Sequence, residues 1–214
     1  LFRSSKKGHV RIDGAMSSKA VNPIVEVNYE DNRQLNFNKH GQWATAVVKK
    51  LQQDYNVKRI NMVGHSLGNI SIIYYELQNA NKANMPKVNK QVDIAGHFDG
   101  LDFAQLPADV RQPQGLKLNA NGKPNKMNAT YKQMTALRTK MPKHQTSVIN
   151  IYGDIGHGTD GTVKNVSTLS LQYLVSPWAK SYKEYKFTGK NARHSHLHNN
   201  PAVDKVLIHF LWSK

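Results

Sequence analysis

The chain has 214 residues, with 30 Lys and Arg against 14 Asp and Glu for a formal charge of +16, and no cysteine. That length suits one globular core, the missing cysteines exclude a disulfide scaffold and a thiolate metal site, and no apolar run approaches the roughly 18 residues a membrane helix needs. The charge would attract polyphosphates, but the basic residues are scattered as singles and pairs, such as Lys49-Lys50 and Lys58-Arg59, so the reading is a solvated basic surface suited to an anionic envelope and no nucleic acid partner.

Leu1-Phe2-Arg3-Ser4-Ser5-Lys6-Lys7 has neither an initiator Met nor a signal-peptide h-region, so this start is expected to lie downstream of the native one. The first predicted strand spans Asn22 to Tyr29, and a helix follows from about Lys39 to Tyr55, with Trp43, Val47 and Leu51 spaced by four. Val57, Ile60, Met62 and Val63 then read as a buried strand, and Ile70, Ile72, Ile73, Tyr74 and Leu77 as the buried face of the next helix. Between them stands Gly64-His65-Ser66-Leu67-Gly68. A Gly-x-Ser-x-Gly turn between a strand and a helix is the arrangement that exposes a nucleophilic serine on a strained backbone, with the flanking glycines expected to let neighbouring backbones pass closely. Ser66 is therefore the candidate nucleophile. The same glycine-rich turn could instead hold a serine that only caps a helix.

Strands are predicted at Lys90 to Gly96 and Ser147 to Gly153, then a helix near Ser167 to Leu174 and a last strand from about Tyr182 to Phe187. Pro201 to Trp212 closes the chain as a helix, with Val203, Val206, Leu207, Phe210 and Leu211 on one face. The alternation predicts an α/β fold, a mainly parallel sheet with helices on both faces. It fails between Phe98 and Thr146, where four prolines, eight Lys or Arg, three Asp and a weak helical stretch from about Asn128 to Met141 read as an insertion. A cap beside the active site and a solvated surface excursion are the two readings of that segment.

A serine hydroxyl is a weak nucleophile, so Ser66 needs a base and a group to orient it. Two loops at strand carboxyl ends supply candidates. The first, Gly153 to Val163, carries Asp154 and Asp160; the second, Gly189 to His198, carries His194, His196 and His198. Spacing alone leaves these choices open, because in an extended segment the three histidines share a face. The same spacing, with His157 or Asp160 added, occurs in some metal sites and admits a metal-dependent hydrolase as an alternative. A non-catalytic binding protein on the same fold is a further alternative.

The elbow, Ile-Ala-Gly-His-Phe-Asp-Gly at 94–100, Asn-Ile-Tyr-Gly at 150–153, Thr-Asp-Gly-Thr-Val at 159–163 and Ala-Arg-His-Ser-His-Leu-His-Asn-Asn at 192–200 together resemble lipase-like α/β hydrolases. More narrowly they resemble a little-characterised family of bacterial cell-surface hydrolases, and the likeness covers nearly the whole chain. The resemblance implies a single α/β-hydrolase domain over 1–214, with 98–146 as a cap-like insertion. Its Asp-x-x-Val pattern selects Asp160 with Val163 as the acid, and its histidine, followed by Leu197 and Val203, selects His194 as the base. It further implies a carboxylesterase or lipase-like serine hydrolase that acts on small or lipid-like esters, needs no cofactor or metal, and resides outside the cell or at its surface. The backbone N–H of Leu67 is the expected first oxyanion donor. A second is expected from an upstream strand and loop that this sequence lacks.

Overall fold

The computed structural model describes residues 2–14, 17 and 21–213, so Leu1, where the reading of the chain start begins, lies outside the described residues. β1 (Phe2–Ser4), β2 (Val10–Ile12) and β3 (Val27–Tyr29) form a small sheet in the order β2-β1-β3. Strands this short carry almost no alternation, which is why β1 and β2 escape a periodicity reading. The strand predicted from Asn22 is paired only over its last three residues.

α1 (Phe37–Tyr55) leads to β4 (Arg59–His65), α2 (Leu67–Asn79) and β5 (Lys87–Ile94). The insertion carries α3 (Ala129–Met134) and α4 (Leu137–Lys140), and β6 (Ser147–Asp154) follows. α5 (Asn165–Leu169) and α6 (Leu171–Val175) replace the single helix expected there, and precede β7 (Ser181–Thr188). A 3₁₀ turn at Lys190–Ala192, α7 (His194–Leu197) and α8 (Pro201–Trp212) complete the chain. β4, β5, β6 and β7 pair in that order, all parallel. Parallel pairing puts the turns that leave β4, β5, β6 and β7 along one edge of the sheet, and Ser66, Asp160 and His194 lie in the segments after β4, β6 and β7.

Successive strand residues face opposite sides, so Val148 joins the core under α2 while Ile149 joins the core under α8. Under α2, Ile70, Ile73 and Tyr74 pack with Leu171, Leu174 and Trp178. Under α8, Val92, Ile94 and Ile151 pack with Leu197 and Val203. Each fully buried aliphatic side chain contributes about 1.5–3 kcal/mol relative to exposure. Asn200 accepts from Ala202 N at 2.9 Å and Pro201 follows it, which starts α8; Lys90 Nζ donates to Phe210 O at 2.7 Å, which holds its end.

The insertion exposes residues 102–105, 107–109 and 119–121 but is anchored in the α2-side core. Val110, Tyr131, Met134, Leu137 and Met141 are buried in it, and Tyr131 donates its hydroxyl to Ser170 O at 2.7 Å. Its helical stretch divides in two, with the side chain of Asn128 capping α3 through Tyr131 N at 2.7 Å. Among the described residues, no helix is long and apolar enough to cross a membrane.

Two carboxyls in this core have no charge partner among the described residues. Glu76 on α2 and Asp93 on β5 are buried, and both oxygens of Glu76 and Oδ1 of Asp93 meet no donor among the described residues. Burial pushes both pKa values well up, and for Glu76 the Asp93 charge adds to it. A raised folded pKa contributes stability that is fully present below the unfolded value and is lost as pH rises through the folded one. Glu76→Gln is therefore expected to raise Tm at pH 8 more than at pH 4. Thermal melts across that range check it, and an unchanged pH slope would contradict it.

Candidate active site

The elbow is strained where the sequence places its serine. Ser66 has φ 53° and ψ −121°, a non-glycine conformation that costs of order 1–3 kcal/mol and persists only where its surroundings enforce it. The enforcing contacts come from β5 and from Asn69 in α2. Ser66 N donates to Ile94 O at 3.0 Å, and buried Asn69 donates Nδ2 to Ser66 O at 2.9 Å and to Ile94 O at 2.8 Å while its Oδ1 accepts from Ile94 N at 3.2 Å. Asn69→Ala removes all three side-chain bonds. It is expected to cost about 2–3 kcal/mol in chemical denaturation, since each orphaned buried group costs about 1–3.

The glycines of the motif play unequal parts. A Cβ on Gly64 would stand 2.7 Å from Asn69 N, so that position requires glycine, whereas one on Gly68 meets nothing within 4 Å. The expectation that both serve close backbone approach is corrected for Gly68. Leu67 opens α2, so its N–H has no acceptor within the helix and lies beside the serine, at the positive end of the helix dipole.

From the opposite side come the two loops. His194 Nε2 lies 2.9 Å from Ser66 Oγ, and its Nδ1 lies 2.7 Å from Asp160 Oδ2. Asp160 is buried, and its Oδ1 accepts from Thr162 N at 2.9 Å and Val163 N at 2.7 Å, which fixes the carboxylate. The main chains are tied as well, with His194 N donating to Asp160 O at 2.9 Å. A carboxylate that accepts Nδ1–H leaves Nε2 as the acceptor for the serine proton, so the three groups can form a proton path from Ser66.

The other candidates lie elsewhere. Asp154 Oδ2 pairs with Lys186 Nζ at 2.7 Å and Oδ1 accepts from Gly156 N at 2.9 Å; the Lys186 bond, then Gly156, holds its pKa below the usual carboxylate value. The histidines are not on an extended segment, because α7 coils them. Residues 194 and 198 then lie on one face and 196 on another, so the three make no shared donor set, and both nitrogens of His194 are already engaged. His196 and His157 are exposed. The His198 ring packs on His65, centroids 4.6 Å apart.

Three residues around this group carry little sequence signal of their own. His65 donates Nε2–H to His194 O at 2.9 Å, and burial lowers its pKa to about 4, so the ring is neutral. His97, just past β5, is 6% exposed; burial, then the charge of His194, brings its pKa to about 4. Gly153 in β6 passes so close to the histidine loop that a Cβ there would stand 1.9 Å from Ala192 O. Asp102 of the insertion is ion-paired with Lys164, next to the acid loop.

The fold recurs in solved structures. The product of gene lin2722 from Listeria innocua superposes over 100% of this chain and 81% of its own, with TM-score 0.84 and 23% identity. A Lactobacillus plantarum protein described as a "putative cell surface hydrolase" matches over 100% of this chain and 78% of its own, with TM-score 0.74 and 19% identity. No curated protein matches the sequence. With residues 2–214 matching the family profile, the chain belongs to the alpha/beta hydrolases of unknown function designated DUF915.

Proposed function

We propose that the protein is a serine hydrolase that cleaves carboxylic esters, with Ser66 as nucleophile, His194 as general base and then acid, and Asp160 as the group that orients the imidazole. The observation that carries this reading is the single imidazole bonded to Ser66 Oγ on one side and to a buried carboxylate on the other. In this mechanism His194 Nε2 takes the Ser66 proton as Oγ attacks the acyl carbonyl. Asp160 stabilises the imidazolium, and His194 returns the proton to the leaving alcohol. Water then repeats the attack on the acyl-enzyme. The Leu67 N–H receives the oxyanion, helped by the dipole of α2; one such donor typically accounts for 10²–10³-fold in rate.

In this reading the insertion is a cap beside the active site, and the Asp102–Lys164 ion pair next to the Asp160 loop supports that placement. A formal charge of +16 suits peripheral attachment to an anionic cell envelope, and the similar Lactobacillus plantarum protein, described as a cell surface hydrolase, supports a surface location. The test is a panel of p-nitrophenyl esters of graded acyl length, run beside a p-nitrophenyl phosphate and a peptide anilide. Turnover of the esters alone is expected. Hydrolysis of the phosphate or anilide in preference to every ester would overturn the ester assignment.

A further inference from the structure

We propose that His65, the residue between the first glycine and the serine of the elbow, is a positioning residue that locks the backbone of His194 to the nucleophile strand. The inference rests on the reading of Ser66 and His194 as nucleophile and base. His194 is held at four atoms. Its N–H and Nδ1 bond to the main chain and side chain of Asp160, at 2.9 and 2.7 Å. Its carbonyl and Nε2 bond to His65 Nε2 and Ser66 Oγ, both at 2.9 Å.

Residues 65 and 66 are adjacent, so the bond from His65 and the bond from Ser66 are parallel links between one stretch of backbone and one histidine. Without the first link, the His194 end of α7 keeps its Asp160 bonds and the packing of Leu197 in the α8-side core but loses its backbone tie to the nucleophile strand, which loosens the serine-to-imidazole distance. The carbonyl can only accept, so the His65 tautomer must carry its proton on Nε2. Two rings flank His65, His194 at 4.8 Å and His198 at 4.6 Å between centroids. The ring of His198, itself exposed, packs against His65 at an interplanar angle of 57°. A misplacement of about 1 Å at a reacting pair can cost about 100-fold in rate, which sets the scale for losing this link.

The experiment compares His65→Leu, which removes the donor, with His65→Gln, whose amide can donate to the same carbonyl. Steady-state kinetics on the best ester of the panel are combined with rates of fluorophosphonate labelling and with thermal melts. The Leu variant is expected to lose about 10- to 100-fold in kcat with KM within about threefold, and to label more slowly by a similar factor. The Gln variant is expected to recover most of both at the same Tm. If the Leu variant does not fold, His65→Met makes the same comparison. Wild-type kcat and labelling rate in a folded donor-less variant would overturn the proposal, as would a Gln variant as slow as Leu. Absence of labelling in the unmodified protein would instead overturn the serine-hydrolase reading, and the positioning role with it.

Discussion

Ser66→Ala and His194→Ala are each expected to lower kcat on a short-chain ester by roughly 10⁴–10⁶-fold, and the double variant by no more than the worse single one. In the proposed mechanism nucleophile and base act as one unit: an imidazole with no hydroxyl to deprotonate contributes nothing further, and a hydroxyl with no base is a weak nucleophile. Asp160→Asn is expected to retain the geometry and still lose about 10⁴-fold, because an amide that donates toward Nδ1 selects the tautomer that cannot accept the serine proton. Losses that multiply in the double variant, measured by steady-state kinetics, would show that Ser66 and His194 act independently.

Gly153→Ala is the second large effect, and it acts at a distance from the reacting atoms. Its Cβ would stand 1.9 Å from the carbonyl oxygen of Ala192, a backbone atom that cannot swing aside. The histidine loop must therefore move by an ångström or more, and His194 lies two residues along it. A loss of at least about 100-fold in kcat is expected, together with about 1–3 kcal/mol of stability from overpacking. Gly68→Ala is the contrast. It meets nothing within 4 Å, and alanine favours a helix interior over glycine by up to about 1 kcal/mol, so Tm is expected to hold or rise. Equal effects from the two substitutions would contradict this account of the elbow and its neighbouring loop.

The contrast shows what a sequence can reveal of this site. The elbow is legible because Gly64, Ser66 and the flanking apolar residues are neighbours in the chain, and the alternation of strands and helices is local as well. Asp160 and His194 stand out by resemblance; spacing alone leaves Asp154, His196 and His198 in contention. What separates them is contact across the sheet edge: Asp154 turns to Lys186, and Asp160 meets the imidazole. The coil of α7 is hidden because four residues are too few for a helical period to show. Asn69 and Gly153 are silent for a different reason, since each is defined by a partner 25 and 39 residues away, Ile94 and Ala192. An asparagine within the apolar face of α2, and a glycine inside a buried strand, are the only local hints either one leaves.

The account turns on whether His194 makes Ser66 nucleophilic, and covalent labelling reads that directly. Incubation with a fluorophosphonate, followed by intact-mass measurement and peptide mapping, is expected to give a single adduct on Ser66. Ser66→Ala should give none, and His194→Ala a rate slowed by orders of magnitude. A folded protein that takes up no adduct at Ser66, or one whose labelling is indifferent to the loss of His194, would contradict it.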